Sequence, residues 1–230
     1  MQVFKNLTLL GTSHVAIESV KQAQDIILSK QPRIVALELD KGRFLSLMQK
    51  KKREKVSFRM IRRFGVKGFL FSLIGAWIEE KIGKMVGVSP GSEMKIAAIT
   101  AAKIKADIAL IDQDIRITIK HLFKYITWKE KLRFIGDIIK GIILRKSEVE
   151  QFDLRKVPPE KIIKELLKKT KKRYPGFYKA LVQERNVYMA KNLYKIMNKY
   201  KEEKIVGLVG AGHEKEMISL IKKEEAKQNV

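Results

Sequence analysis

Leu7-Thr8-Leu9-Leu10-Gly11-Thr12-Ser13-His14 and, almost at the other end of the chain, Ile205-Val206-Gly207-Leu208-Val209-Gly210-Ala211-Gly212-His213 share one pattern. Each is a short apolar run that breaks into Gly-x-x-His and leads into a segment of helical spacing. Runs this short, rich in Leu, Ile and Val and bounded by glycine, read as buried strands. The glycines permit a tight strand-to-helix turn and a close approach of backbone. Each histidine then stands just past the carboxyl end of its strand, the edge of an open α/β sheet at which ligands bind. One histidine after a glycine turn is ordinarily a cap or a surface residue. The chain has three histidines, and two of them repeat this context about 200 residues apart, which favours a shared site.

Between the two motifs the pattern of an α/β fold continues. Val15, Ile17, Val20, Ala23, Ile26, Ile27 and Leu28 recur close to helical spacing, and Pro32 stops that helix. Ile34-Val35-Ala36-Leu37-Glu38-Leu39 is a second buried strand, so strand, helix and strand form a βαβ unit with a right-handed crossover. Gly87-Val88-Ser89-Pro90-Gly91-Ser92 is a break, after which a helix over 93–105 carries an Ala-rich face suited to close packing on a sheet. Asp107-Ile108-Ala109-Leu110-Ile111 is a third strand, and the run at 205–209 is the fourth. The residues from 115 to 144 read as helix with a break near Tyr125-Ile126-Thr127-Trp128. Pro158-Pro159 opens another helix, and Tyr174-Pro175-Gly176 precedes a long one over 177–200. The expectation is one α/β domain over 1–230, with a largely parallel central sheet and helical insertions about 42–90 and 115–200.

Composition narrows the chemistry. The 230 residues contain no cysteine, which excludes disulfides, thiolate metal sites and a cysteine nucleophile. With 45% hydrophobic residues the chain can build a core. The first residues lead directly into a strand without signal-peptide character, so a cytoplasmic protein is expected. The net charge of +24 attracts anionic partners, or reflects the charged surfaces of a thermophilic proteome. No helix-turn-helix, zinc-finger or RNA-binding signature accompanies it, so no specific nucleic-acid partner is expected. Phe69-Leu70-Phe71-Ser72-Leu73-Ile74-Gly75-Ala76-Trp77-Ile78 is almost wholly apolar and follows the basic 58–64 stretch. It is too short to span a bilayer, which takes about 20 residues. It either lies in an anionic membrane surface or is buried in a helical core or dimer interface. The latter is preferred, and a homodimer is expected.

Polar residues gather at the strand ends. Glu38 closes its strand on the same edge as His14, and a glutamate there needs a partner or a bound cation. Either it forms a strand-end salt bridge, with Arg43 close in sequence, or it belongs to a site; the site reading is adopted. Arg43, in the first turn of the next helix, suits a carboxylate or an anionic substrate. Asp112 is the first polar residue after the third strand, and Asp114 suits a helix cap. Glu93 by itself reads as a first-turn complement to a helix dipole. Glu184-Arg185-Asn186 is a polar cluster whose ordinary reading is a solvated face, and His121 reads as structural or surface.

Several of these pieces together resemble the TraB family, which includes pheromone-shutdown proteins, and through it the wider group of Tiki proteases, erythromycin esterases and haem-binding ChaN proteins. They are Gly11-Thr12-Ser13-His14-Val15, Leu37-Glu38-Leu39-Asp40 with Arg43, Pro90-Gly91-Ser92-Glu93-Met94, Leu110-Ile111-Asp112-Gln113-Asp114-Ile115, Glu184-Arg185-Asn186 and Val209-Gly210-Ala211-Gly212-His213. They occur in the family's order over nearly the whole chain. Where the family usually has Arg after the first aspartate of the fourth piece, this chain has Gln113. Many relatives carry membrane-spanning segments after the last Gly-x-x-His. Here the sequence stops about 17 residues beyond it, so it resembles the soluble form.

The resemblance implies an α/β core in which both Gly-x-x-His motifs, a glutamate and an arginine form one pocket. The expected function is a metal-dependent hydrolase of peptide or acyl bonds. His14, Glu38 and His213 are the expected ligands of a divalent metal (Mn, Co, Fe or Zn). Glu38, Glu93 and Arg185 are the expected catalytic residues, and Arg43, Asp112 and Glu184 the expected substrate-binding ones. A metal-free variant has His14 or His213 as base and Arg185 at an oxyanion. The competing expectation is a non-catalytic peptide-binding or adaptor protein at a membrane surface.

Overall fold

The computed structural model describes residues 1–12, 17–49, 91–144 and 159–228. Its sheet has five strands. β1 (Gln2–Phe4) pairs antiparallel with β2 (Leu7–Thr12); β3 (Ile34–Leu37), β4 (Asp107–Leu110) and β5 (Ile205–Gly210) run parallel to β2. The order is β1-β2-β5-β3-β4. The last strand in sequence therefore enters the middle of the sheet. Leu7 lies opposite Ile205 and Thr12 opposite Gly210, so the strands of the two Gly-x-x-His motifs are neighbours. β1 escapes the sequence pattern because three residues are too few to show an alternation; Lys5, in the left-handed region at φ 52°, turns it back on β2.

The pleat sorts alternate side chains onto two faces. Leu7, Leu9, Ile34, Ala36, Ile205 and Val209 face one way, against α8 (Glu184–Lys199) and α9 (Glu214–Gln228), through Met189, Leu193, Met217 and Ile221. Leu10, Val35, Leu37, Val206 and Leu208 face the other way, against α1 (Ile17–Lys30) and α3 (Ser92–Lys103), through Ile27, Met94, Ala97 and Ala101. Helices on both faces explain why β3 and β5 are apolar along their whole length; β2 also carries Thr8 and Thr12, and β4, at the edge of the sheet, opens on the exposed Asp107.

The remaining described helices extend this core. α2 (Lys41–Met48) follows β3. α4 (Ile115–Tyr125), α5 (Trp128–Leu144), α6 (Glu160–Arg173) and α7 (Pro175–Tyr178) fill the long connection from β4 to α8. A π turn over Lys179–Gln183 joins α7 to α8. Asp114 caps α4 by accepting from the Arg116 amide at 2.8 Å. Glu130 links three pieces of this region: its carboxylate accepts from the Thr127 amide, the Thr127 hydroxyl and the Gly176 amide. His14 and the apolar run at 69–78 lie outside the described residues. Among the described residues, no helix is long and apolar enough to cross a membrane.

Candidate functional site

Glu38 follows β3 directly, and its backbone continues the ladder by donating to Leu208 O at 3.1 Å. Its side chain turns towards β5, where Oε2 accepts from the Gly210 amide at 2.6 Å. Its Oε1 meets the Arg185 guanidinium. Arg185 stands at the start of α8 and also binds Asp112, Nη2 lying 2.6 Å from Oδ2. The same guanidinium donates through Nη1 to Leu181 O at 3.1 Å, inside the π turn. Asp112 in turn meets Arg43, whose Nε lies 2.6 Å from Asp40 Oδ2. Asp40 completes the set as the N-cap of α2, accepting from the Gly42 and Arg43 amides. Three carboxylates and two guanidiniums thus alternate along the carboxyl edge of the sheet. The Asp112 side chain is fully buried, Arg185 is 14% exposed, and Arg43, at 34%, reaches solvent.

His213 joins this row from the other side. It precedes α9, and its carbonyl accepts from the Met217 amide to start that helix. Its Nε2 lies 3.5 Å from Glu38 Oε1. Its Nδ1 lies 2.5 Å from Asn186 Oδ1, and Asn186 Nδ2 donates to Glu216 Oε2 at 2.8 Å. The glycine of the first motif serves close approach. A side chain at Gly11 would run into Glu214 and Ala211, whereas Gly11, Gly210 and Gly212 are all outside the left-handed region. Of the glycines read as turn formers, Gly91 alone among the described residues needs positive φ, at 83°.

Electrostatics follow the geometry. Burial would lower the Arg185 pKa, but Glu38 and Asp112 outweigh it and raise it, so the guanidinium stays charged. The Tyr178 phenol is pushed up by burial and then by Glu216, towards which its hydroxyl points at 3.4 Å.

The sequence-derived site residues divide accordingly. Glu38, Asp112, Arg43, Arg185 and His213 form one connected cluster. Glu93 is buried in the first turn of α3, which leads back from the carboxyl edge towards β4. Glu184 turns away to α4, where Oε2 meets His121 Nδ1 and Oε1 accepts from the Tyr125 hydroxyl, both at 2.6 Å. Burial would raise the Glu184 pKa, but those two groups and Lys179 bring it below the usual glutamate value. Glu184-Arg185-Asn186 is not a solvated face, since Asn186 is fully buried and Arg185 nearly so. Gln113, in the place of the family's arginine, is buried and donates to Thr118 Oγ1. Asp40 and Glu216 were not singled out in the sequence as site residues. Glu216 carries one signal, its i+3 spacing from His213 on one helical face.

Among the described residues, no three His, Asp or Glu side chains meet at metal-ligand spacing. His213 Nε2 and Glu38 Oε1 lie 3.5 Å apart, and that oxygen is also held by the Arg185 guanidinium.

The fold and the cluster define an α/β protein with a nearly buried ionic site at the carboxyl edge of a parallel sheet. The family model described as TraB/PrgY/gumN matches residues 4–228, and the chain belongs to that family. An uncharacterized protein of Methanocaldococcus jannaschii is 34% identical over 96% of this chain and 54% of its own length. The TraB domain-containing protein of Homo sapiens is 21% identical over 89% of this chain and 60% of its own length, and that of Bos taurus is similar at 21%. The chain thus spans a little over half the length of these relatives.

Proposed function

We propose that this chain is a hydrolase of peptide or acyl bonds acting at the Glu38–Arg185–His213 cluster. One observation carries the reading. His213 has Nδ1 engaged by Asn186, so Nε2 is left facing Glu38 at 3.5 Å, in a nearly buried polar site at the ligand-binding edge of the sheet. In this reading Nε2 accepts a proton from the attacking water. Arg185 has donors engaged by two carboxylates and the Leu181 carbonyl, so its role is to hold Glu38 and Asp112 in place rather than to meet an oxyanion. Arg43, bound to Asp40 through Nε and to Asp112 through Nη2 but partly exposed at the rim, would meet a substrate carboxylate with its remaining donor, Nη1. In the alternative with a divalent metal, His213 Nε2 and Glu38 Oε1 would be its ligands in place of the base role of Nε2, and the ion would supply a water of lowered pKa.

The test is purified chain assayed on mixed peptides and nitrophenyl esters, with Mn, Co or Zn added or chelator present, beside His213→Ala and Glu38→Gln. The expected result is a loss of about 10²- to 10⁴-fold in kcat for His213→Ala. Equal turnover and equal metal content in wild type and both variants would remove the proposal.

A second reading, an adaptor at a membrane surface, has its own support on α5. Trp128, Leu132 and Ile135 follow helical spacing and are 76%, 68% and 54% exposed. Lys131 lies over the Trp128 ring at 4.3 Å, and Lys129 is beside it. An apolar row edged with lysine suits an anionic bilayer. This reading expects sedimentation with phosphatidylglycerol vesicles that Leu132→Asp abolishes, in a chain without hydrolytic turnover.

A further inference from the structure

The row of polar groups does not end at His213. It passes through Asn186 to Glu216, a residue with no part in the proposed chemistry. A carboxylate only accepts hydrogen bonds, whereas a carboxamide has one accepting and one donating end. Glu216 Oε2 at 2.8 Å therefore requires the Nδ2 end of Asn186. The opposite orientation would set two acceptors against each other in a place where Asn186 has no access to water. With Nδ2 committed, Oδ1 is the end that faces His213 at 2.5 Å, and an oxygen there requires a proton on Nδ1. A neutral His213 then carries its lone pair on Nε2, towards Glu38.

We propose that Glu216 is a positioning residue that, through Asn186, fixes neutral His213 as the Nδ1–H tautomer. Without it, Glu38 would select the other tautomer, because a carboxylate 3.5 Å from Nε2 favours a proton on that nitrogen. Asn186 would then rotate to donate to Nδ1, and Nε2 would no longer accept a proton from water. Glu216 thus opposes Glu38 across the imidazole. The inference rests on the proposed role of His213, but the tautomer is measurable without turnover.

The experiment is 15N NMR of histidine-labelled protein at about pH 8, with His213 assigned by its loss in His213→Gln. Wild type is expected to show Nδ1 protonated and Nε2 as the unprotonated ring nitrogen. Glu216→Gln is nearly isosteric but offers an amide that can donate to Asn186 Oδ1, and it is expected to move the proton to Nε2. Glu216→Leu, which only deletes the acceptor, is expected to shift the population the same way. Where turnover is present, kcat is expected to fall about 10- to 100-fold in Glu216→Gln at unchanged KM. A wild-type Nε2–H tautomer, a His213 doubly protonated at that pH, or a tautomer unchanged in both folded variants would overturn the proposal. Absence of turnover in wild type would remove the hydrolase reading and leave the tautomer assignment standing or falling on the spectra alone.

Discussion

Arg185 holds Glu38 and Asp112 beside each other where neither has much access to water. Two buried carboxylates at that spacing repel, and the guanidinium between them offsets both their repulsion and their desolvation. Arg185→Met keeps much of the side-chain volume and removes the charge. It is expected to destabilise the fold by about 3–5 kcal/mol, read as a lower urea midpoint at an unchanged slope. Arg43→Met, at the exposed end of the same row, leaves Asp112 still bound to Arg185 and is expected to cost about 1 kcal/mol or less. At this scale the sequence told which residues carry charge at strand ends, because an apolar run that closes on Glu38 or leads straight into Asp112 is conspicuous. It did not tell the pairing. Arg43 is five positions from Glu38, yet Arg185, 147 positions away, is the one in contact.

Within α8, Asn186 stands three, four and seven positions before Met189, Ala190 and Leu193, so ordinary helical spacing puts it on the buried face. Arg185, four positions before Met189, stands beside that face and donates to the Leu181 carbonyl inside the π turn. Glu130 belongs to this scale as well, since one buried carboxylate ties the entry of α5 to the entry of α7. Its acceptor role includes the amide of Gly176, where a side chain would strike the Tyr125 carbonyl. Glu130→Ala leaves those amides without their acceptor and is expected to cost about 2–3 kcal/mol. Hydrogen exchange should then quicken at Thr127 and Gly176 before it does in β5. Equal protection at both places in variant and wild type would show that the junction does not depend on Glu130.

The whole molecule carries a predictable response to acid. Burial would raise both Glu130 and Glu184, but amide and hydroxyl donors to the first, and Tyr125 and His121 at the second, bring them below the ordinary 4.5. A carboxylate with a depressed folded pKa stabilises above its unfolded value, and the contribution disappears as pH falls through the folded one. Thermal stability is therefore expected to hold down to about pH 5 and to fall below about pH 4, with a shallower fall in Glu130→Gln. A flat profile to pH 3 would contradict this. The fold class was legible at this scale because four runs of Leu, Ile and Val each lay beside helical spacing. Strand order was not, since β2, β3 and β5 put apolar residues on both faces and nothing in a run names its neighbour.

The place of β5 between β2 and β3 has a consequence for biosynthesis. β2 leaves the ribosome about 200 residues before its parallel neighbour, which begins at Ile205, opposite Leu7. At about 5–20 residues per second, the nascent chain spends on the order of 10–40 s with the inner edges of both β2 and β3 unpaired. Contacts so distant in sequence also make closure intrinsically slow. During that interval the unpaired edges of β2 and β3 are open to mispairing with neighbouring nascent chains. Only the late arrival of the second Gly-x-x-His strand closes that window, so completing the sheet and completing the His213 side of the site are one folding event.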